Sequence, residues 1–278
     1  MSLINSLRSA VGWVAQRNKP AREVIKSAKA MRLRVLSKRS NADFVKSHPG
    51  EPWPPLHLMA DAHAHNSYRR YYETGLVQAQ FYVKMFERQF DFSQSAQVQI
   101  FEWGSGTGRI VRHLRKLYPP GAVAIRGSDY NPESVAWCKT AFHDMSFFLN
   151  GVAPPLDLET DSIDILYCSS VFTHLTDDLC RQWIAEQERV VRPGGLIAFT
   201  IAGWSYSHRY QESEHEQYRR GISVYHEWDE IGRRDFFSWH PPQYVRGVLL
   251  SRLEELEYVP TDDSGLNQDM WLARVPAR

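Results

Sequence analysis

The sequence predicts an α/β fold with a doubly wound, seven-stranded and mostly parallel sheet. From residue 98 onward, short apolar runs alternate with segments of helical periodicity, which is typical of parallel βαβ units. A glycine-rich turn joins the first strand of this series to a helix. One more helix and two more strands near the C-terminus complete the sheet.

Five strands and three helices alternate in the central segment. The strands are predicted at Val98–Trp103, Ala122–Ser128, Met145–Leu149, Ser162–Cys168 and Leu196–Ile201. The helices are predicted at Ile110–Tyr118, Pro132–Phe142 and Asp177–Val191. Asn131 and Pro132 form a typical helix start, and Pro193-Gly194-Gly195 is a typical helix stop.

Further elements flank this core. A helix ending near Asp91 is indicated by one apolar face, which consists of Leu76, Ala79, Val83, Phe86 and Phe90. The C-terminal helix is predicted at Pro242–Leu253, followed by strands near Leu256–Val259 and Met270–Val275.

Composition divides the chain into three parts. Residues 1–48 hold eleven Lys or Arg against two acids, with apolar residues at helical spacing, and predict a basic amphipathic helix. Such a helix fits an anionic membrane surface or RNA, or else packs on the domain or on a partner protein. Residues 49–58 are a proline-rich linker, and 59–278 form the main domain. Within it, the aromatic and charged segment 203–235 breaks the alternation and is interpreted as a lid.

Charge and cysteine content limit the classes of function. The net charge of the 278 residues is only +1, which argues against nucleic-acid binding by the whole surface. The three cysteines form no Cys-x-x-Cys pair and are expected to be buried, reduced thiols. We find neither a membrane-spanning run nor a signal peptide in the sequence, so we expect a cytoplasmic protein, with membrane association only through the basic segment.

The central motif is Ile100-Phe101-Glu102-Trp103-Gly104-Ser105-Gly106-Thr107-Gly108-Arg109-Ile110. Glycines allow a tight turn and a close approach of backbone to ligand, and the following helix start offers N–H groups. A dinucleotide fingerprint would need a third glycine at position 109, where the chain has Arg109.

The Gly-x-Gly-x-Gly spacing preceded by Glu102 resembles motif I of class I, S-adenosylmethionine-dependent methyltransferases. The resemblance implies that Glu102 helps to bind the methionine ammonium group. It also implies that Asp129, at the end of the second strand, accepts hydrogen bonds from the ribose hydroxyls and that Tyr130 lies against the adenine. The implied cofactor-binding residues are Glu102, Gly104, Ser105, Gly106, Gly108, Asp129, Tyr130, Asn150 and Ser169.

The assignment of Asn150 leaves an alternative open, and that of Ser169 bears on the class of acceptor. Asn150 resembles the residue that binds the adenine amino group, but the family more often has Asp there, and Asn150 can equally be a turn residue. Ser169-Ser170-Val171-Phe172 follows the fourth strand, where the family faces the methyl group. Enzymes that methylate amines of bases often carry Asn-Pro-Pro-Tyr there, so this segment argues against a nucleic-acid acceptor.

Histidines are the candidate general bases, since imidazole titrates near neutral pH. His174 follows the fourth strand and His240 precedes a proline in the same predicted cleft, so these two are the catalytic candidates. His208 and His226 lie in the predicted lid. The His63-x-His65 pair lacks a further ligand set, and no metal is expected.

Weaker motifs resemble a bacterial methyltransferase subgroup associated with glycan or small-molecule modification. They are Arg70–Gly75, Ser170–Leu175 and Asn267-Gln268-Asp269. We therefore expect O-methylation of a small molecule or glycan. The alternatives are an RNA or protein methyltransferase that uses residues 1–48, and a non-catalytic scaffold on this fold.

Overall fold

The computed structural model of the chain describes residues 38–227, 236–261 and 266–277. Most of the predicted basic helix (1–37) and part of the predicted lid (228–235) lie outside the described residues. The chain divides into two compact units, Met1–Tyr72 and Glu73–Arg278. The division falls within a long helix, Tyr68–Gln89.

The first unit is built from helical segments around a proline-rich stretch. Residues 38–47 are helical, and helix α1 spans Leu56–His63, so it begins inside the predicted linker. Asn41 joins distant parts of this unit, because its side chain donates to the carbonyl of Asn66 (2.7 Å) and accepts from the N–H of Tyr68 (2.9 Å). The boundaries of the three predicted parts stay a prediction.

The second unit contains the predicted seven-stranded sheet. Its strands are β1 (Val98–Trp103), β2 (Val123–Asp129), β3 (Ser146–Leu149), β4 (Ile163–Cys168), β5 (Val191–Ile201), β8 (Glu254–Val259) and β9 (Asp269–Arg274). They lie in the order β3-β2-β1-β4-β5-β9-β8. The first five strands are parallel, and β9 runs antiparallel to both β5 and β8. The predicted fold class is confirmed.

Helices cover both faces of this sheet. They are α2 (Tyr68–Gln89), α3 (Val111–Leu117), α4 (Pro132–Ala141), α5 (Asp177–Val190) and α7 (Pro242–Tyr244), the last continuing as a π-helical turn, Val245–Leu249. Strand residues alternate between two buried clusters. Ile100 and Ile165 pack with α2, α3 and α4, whereas Phe101 and Leu166 pack with α5 and the π-helical turn. The side chain of Asn131 caps α4 as predicted.

Two predicted boundaries are wrong. Strand β5 begins at Val191 rather than Leu196, because Val191 already pairs with Ile163 and a register shift follows before Ile165. The predicted helix Pro242–Leu253 ends at Leu249 instead, where its final turn widens to π-helical hydrogen bonding.

The segment after β5 has its own structure. We define the insertion as residues 203–239; its described part holds a 3₁₀ turn (Trp204–Arg209), helix α6 (Glu212–Arg219) and strands β6 (Val224–Glu227) and β7 (Phe236–Trp239). The two strands pair antiparallel as a separate sheet. This hairpin was not predicted, because Phe236-Phe237-Ser238-Trp239 lacks a clear alternation of apolar and polar residues.

Candidate cofactor site and methyl-transfer site

The carboxyl ends of β1, β2 and β4 meet at one edge of the sheet. These strands are neighbours, and Glu102 at the end of β1 is the register partner of both Gly127 on β2 and Tyr167 on β4. Parallel α/β sheets bind their ligands at this edge. The structure therefore brings the predicted residues that end β1, β2 and β4 to one place.

The glycine turn after β1 depends on glycine at three positions. Gly104, Gly106 and Gly108 have φ values of 76°, 53° and 76°, a region that residues with a Cβ avoid. A Cβ on Gly104 would also lie 2.4 Å from Cγ2 of Val171. The N–H groups of Gly104 and Ser105 donate to the carbonyl of Ser128 (2.8 and 2.9 Å), which holds the turn against β2.

Asp129 joins the turn to the start of α4. Its Oδ2 accepts from the N–H of Gly106 (2.7 Å), and its Oδ1 accepts from the N–H of Asn131 (2.9 Å). The side chain is nearly buried, and a carboxylate oxygen can accept more than one hydrogen bond. Asp129 therefore shapes the site and can also accept from a diol placed there.

Exposed apolar side chains lie at the carboxyl ends of β2 and β3. Tyr130 is 39% exposed and Leu149 is 54% exposed, although both are large hydrophobic side chains. The N–H of Asn150 donates to the carbonyl of Asp129 (3.1 Å), and its Nδ2 donates to Gly151 (2.7 Å). Within the described residues, the buried Oδ1 of Asn150 has no hydrogen-bond partner. An exposed ring beside an unsatisfied acceptor fits a planar base with an amino group.

Glu102 is a buried carboxyl group at the start of the turn. It is 2% exposed, and its Oε2 has no hydrogen-bond partner among the described residues. Burial raises the pKa of the Glu102 carboxyl to about 8. Such a group is suited to a cationic ligand, whose charge would stabilise the carboxylate.

The turn after β4 is held in an unusual conformation. Ser170 has a φ of 65°, and its N–H donates to Oγ1 of Thr200 (2.9 Å). Gln268 binds both residues: its Nε2 donates to Oγ of Ser170 (2.8 Å), and its Oε1 accepts from Thr200 (2.7 Å). Sequence analysis assigned no role to Gln268, although it noted the Asn-Gln-Asp motif. A left-handed serine held by three strand ends is typical of a functional turn.

His174 lies next to this turn and contacts the insertion. Its Nδ1 is 2.9 Å from the carbonyl oxygen of Phe236, and its ring meets that of Phe237 edge to face. Because a carbonyl only accepts, Nδ1 donates, and the basic nitrogen of the neutral ring is Nε2.

His240 is buried, with both ring nitrogens close to hydroxyl groups. Nδ1 lies 2.9 Å from Oγ of Ser223, and Nε2 lies 3.0 Å from Oγ of Ser238. Burial lowers the pKa of the His240 ring to about 4, and the ring stacks on Tyr244. This position favours a role in joining the insertion to the core, and the catalytic assignment of His240 stays a prediction.

The other two histidines considered as bases, His226 and His208, contact polar groups within the insertion. Nε2 of His226 lies 2.6 Å from Glu214, and Nδ1 of His208 donates to the carbonyl of Ser205 (3.1 Å). Nowhere in the described residues do three or more His, Cys, Asp or Glu side chains form a group that could hold a metal ion. Among the described helices, none is long and apolar enough to cross a membrane.

Sequence analysis missed the contribution of helix α2. A Cβ on Gly75 would lie 2.2 Å from the carbonyl oxygen of Arg109, so α2 touches the backbone just after the glycine turn. Two turns of helix further on lies Tyr82, whose hydroxyl is near Glu102, Arg109 and Ser169. The periodicity of α2 marked its apolar face, but nothing in that pattern distinguishes a packing tyrosine from one at a site.

The geometry fits the group that the resemblance implies. A zwitterionic amino acid needs an acceptor for its ammonium group, and Glu102 has an unsatisfied one. A ribose diol needs a carboxylate, which Asp129 supplies at the next strand end. An adenine needs a flat apolar contact and an acceptor, which Tyr130 and Asn150 supply.

Comparisons with known proteins agree with this class of site. A family model described as a methyltransferase domain matches residues 101–199. Malonyl-[acyl-carrier protein] O-methyltransferase 1 of Coxiella burnetii is 28% identical over 139 residues, which cover 50% of this chain and 45% of that protein. The chain thus matches about half the length of this curated relative.

Solved structures share the fold. A structure of SAM-dependent methyltransferases from Methanosarcina mazei has a TM-score of 0.51 at 17% identity, covering 70% of this chain and 98% of that one. A candidate sarcosine dimethylglycine methyltransferase from Galdieria sulphuraria has a TM-score of 0.52 at 14% identity, covering 86% and 97%. The fold and the edge of its sheet thus define a methyltransferase domain. Residues 101–199 match the methyltransferase family model, and the chain shares its fold with solved S-adenosylmethionine-dependent methyltransferases.

Proposed function

We propose that this protein transfers the methyl group of S-adenosylmethionine to an oxygen atom of a small molecule or glycan. The observation that carries the proposal is the edge between Glu102 and Asp129, where three left-handed glycines leave room for a ligand. Buried acceptors lie at both ends of this edge. The name of the curated relative, an O-methyltransferase, supports an oxygen acceptor.

Different residues of this chain would bind different parts of the cofactor. Glu102 faces the ammonium group, Asp129 accepts from the ribose hydroxyls, and Asn150 accepts from the adenine amino group. Tyr130 covers the adenine ring, a stacking contact worth about 1–3 kcal/mol by analogy with base stacking. When bound, S-adenosylmethionine supplies an electrophilic methyl group on a sulfonium.

The turn after β4 positions the acceptor. Ser169, Ser170 and Val171 follow the strand that lies beside β1, and Val171 packs directly on Gly104. The contacts of Ser170 with Gln268 and Thr200 fix the turn before any ligand arrives. A fixed turn lowers the entropic cost of aligning an acceptor with the methyl group, which is the main task in this reaction.

His174 is the proposed general base for a hydroxyl acceptor. Its Nδ1–H is held by Phe236, so the neutral ring presents Nε2 as the basic nitrogen. A correctly placed base contributes about 10²–10⁴-fold to such a step. The aromatic insertion, with Trp204 42% exposed, offers a surface on which a ring or sugar of the acceptor can pack.

Cofactor binding is tested by calorimetric titration of the full chain with S-adenosylhomocysteine. We expect one-to-one binding that is weakened at least tenfold in Asp129→Ala. Asp144→Ala, which removes an exposed carboxylate paired with Arg115, is the control and should bind like wild type. A folded wild-type protein that binds no S-adenosylhomocysteine would contradict the proposal.

The acceptor class is tested with S-adenosylmethionine carrying a ¹³C-labelled methyl group. The protein is incubated with small-molecule, glycan, RNA and protein fractions, and NMR shifts of the transferred methyl distinguish oxygen from nitrogen acceptors. We expect label on oxygen in the small-molecule or glycan fraction, and the same activity after removal of residues 1–48. Label in RNA or protein, lost with residues 1–48, would favour the macromolecular alternative.

A further inference from the structure

The arginines of the insertion differ in their partners from those of the sheet and its helices. Outside the insertion, the arginines that pair with a carboxylate are Arg88, Arg115, Arg181, Arg189, Arg192, Arg246, Arg252 and Arg274. In the described part of the insertion, Arg209, Arg219 and Arg220 pair with no carboxylate. The acid Glu214 contacts His226 instead, at 2.6 Å. The insertion therefore keeps guanidinium charges that the described protein does not compensate.

Arg209 is exposed and lies over two aromatic rings. Its Cζ is 5.1 Å from the ring centre of Tyr206 and 5.7 Å from that of Phe237. The two rings are also in contact with each other, with centres 5.8 Å apart. A cation–π contact holds the guanidinium in place but uses none of its N–H groups in conventional hydrogen bonds. Arg209 is therefore fixed in position while its donors stay available to a ligand.

Phe237 connects Arg209 to the proposed general base. Its ring meets the ring of His174 edge to face, with centres 5.5 Å apart. The backbone carbonyl of the preceding residue, Phe236, lies 2.9 Å from Nδ1 of His174. One aromatic ring thus separates the imidazole from the guanidinium. A molecule of the size of a sugar or a small aromatic acid can contact both groups at once.

The segment that carries Arg209 starts at the cofactor edge of the sheet. The 3₁₀ turn Trp204–Arg209 follows the end of β5, and β5 runs parallel to β4. The carboxyl ends of these two strands therefore lie at the same edge, beside the turn that we assign to the acceptor. A Cβ on Gly203 would overlap the carboxylate of Asp269 on β9, so the backbone at the start of the segment packs closely on the sheet.

We propose that Arg209 is an oxyanion-binding residue of the acceptor site, and that the acceptor carries a carboxylate or phosphate group besides the hydroxyl that is methylated. An acidic sugar is an acceptor of this class. This inference rests on the proposed function, since it places the acceptor hydroxyl at Nε2 of His174. A guanidinium binds either oxyanion through two parallel N–H···O bonds. Because Tyr206 and Phe237 already hold the guanidinium, less entropy is lost when the acceptor binds.

The charge of the acceptor is tested in the ¹³C-methyl transfer assay. Before incubation, anion exchange divides the small-molecule and glycan fraction into a neutral pool and an anionic pool. We expect label in the anionic pool, at a rate that falls as salt is added, because salt screens the attraction between guanidinium and oxyanion. An anionic pool without label would overturn this proposal, and label in the neutral pool would then leave the proposed function intact. A protein that binds no S-adenosylhomocysteine would overturn both.

The role of Arg209 is tested by measuring the rate of transfer over a range of concentrations of the anionic pool. Arg209→Gln should raise the apparent KM about tenfold, as expected for a hydrogen bond between charged groups, with a small change in the saturating rate. Arg209→Lys keeps the charge but loses the planar fork, so its KM should lie between the two. Arg220→Gln removes an exposed arginine of the same insertion and should behave like wild type. Equal KM values for Arg209→Gln and Arg220→Gln would overturn the proposal.

A purely structural role of Arg209 is distinguished by two further measurements. Arg219→Gln removes a comparable ring contact, since its guanidinium lies 5.2 Å from the ring centre of Trp204. We expect Arg209→Gln and Arg219→Gln to lower the melting temperature equally, and Arg209→Gln to bind S-adenosylhomocysteine like wild type. Weaker binding of S-adenosylhomocysteine by Arg209→Gln, or a much lower melting temperature, would overturn the assignment to the acceptor.

The oxyanion site is probed directly with sodium glucuronate and with inorganic phosphate. Full-length protein with ¹⁵N-labelled arginine is saturated with S-adenosylhomocysteine, and the Arg209 Nε–H resonance is identified by its absence in Arg209→Gln. We expect a saturable shift of this resonance, and the probe that binds more tightly indicates whether the site prefers carboxylate or phosphate. Glucose, which has the ring of glucuronate without the carboxylate, is the matched control and should cause no shift. No shift with either oxyanion, or an equal shift with glucose, would overturn the proposal.

Discussion

The cofactor edge and the insertion are built in different ways. At the cofactor edge, backbone groups make the structure: the N–H groups of the glycine turn donate to the carbonyl of Ser128 on β2, and the shape of the turn depends on three positive φ angles. The insertion is held on the core by side chains that are distant in sequence. His174 donates to Phe236, 62 residues away, and Ser238 donates to the carbonyl of Phe172, 66 residues away. The comparison teaches that substitutions at the edge act through the backbone, and those in the insertion act through single side-chain contacts.

The largest effect is expected at the edge, from Gly104→Ala. The added methyl group enters the left-handed region, which costs about 1–2 kcal/mol, and it also meets Val171 at 2.4 Å. We expect the protein to lose S-adenosylhomocysteine binding and several degrees of melting temperature, as measured by calorimetry. Gly121→Ala is the control, with a φ of 80° and no atom within 4 Å of the new Cβ. If Gly104→Ala behaved like Gly121→Ala, the close approach of the two turns would be unimportant.

The next effect is expected where the two regions meet, at His174. His174→Asn keeps a donor near the carbonyl of Phe236 but removes the basic nitrogen. We expect methyl transfer to fall about 10²–10⁴-fold while binding of S-adenosylhomocysteine is unchanged. His208→Asn is the control, because its Nδ1 also donates to a carbonyl. A loss below tenfold in His174→Asn would remove His174 as the base.

We expect the stability of the insertion to depend on pH because of His240. Its folded pKa of about 4 lies below the ordinary value of 6.5, so the unfolded state binds more protons between these values. The stability contributed by neutral His240 is thus present above pH 6.5 and is lost as the pH falls towards 4. Above pH 6.5, the lowered pKa of His240 contributes about 3 kcal/mol to the free energy of unfolding.

Hydrogen exchange at pH 7 and pH 5 measures this effect. We expect the amides of β6 and β7 to lose protection at pH 5 relative to those of β1 and β4, after correction for the intrinsic exchange rate. His240→Gln cannot titrate, and its insertion should respond less to pH. Equal loss in both sheets would mean that the insertion and the core unfold together.

The smallest effect is expected at the surface of the insertion. The guanidinium of Arg219 lies 5.2 Å from the ring centre of Trp204, a cation–π contact worth about 0.5–1 kcal/mol at an exposed site. Arg219→Ala should lower the free energy of unfolding in urea by that amount. The neighbouring Arg220 contacts no ring among the described residues, and Arg220→Ala should have less effect. Equal effects would show that the ring contact contributes nothing.

Sequence analysis predicted the strands of the cofactor edge to within one or two residues, because each is a short apolar run that ends at a turn signal. The cap at Asn131 and the glycine turn were equally local features and are confirmed. The hairpin of the insertion was not predicted, because β7 pairs with a strand across a long connection and its own residues do not alternate. The early start of β5 also depends on a partner, Ile163, in another strand.

The sequence by itself determined the class of protein, since a backbone turn with left-handed angles needs glycines at fixed spacing, and this spacing is visible in the chain. Only the tertiary structure decided which side chains surround Glu102. Tyr82 lies 20 residues before it in the sequence and Tyr167 lies 65 residues after it, and they meet because α2 packs on the sheet and β4 pairs with β1. The physical reason is that backbone angles are local properties of the chain, whereas burial, unsatisfied hydrogen bonds and the raised pKa of a carboxyl group exist only after distant segments have packed together.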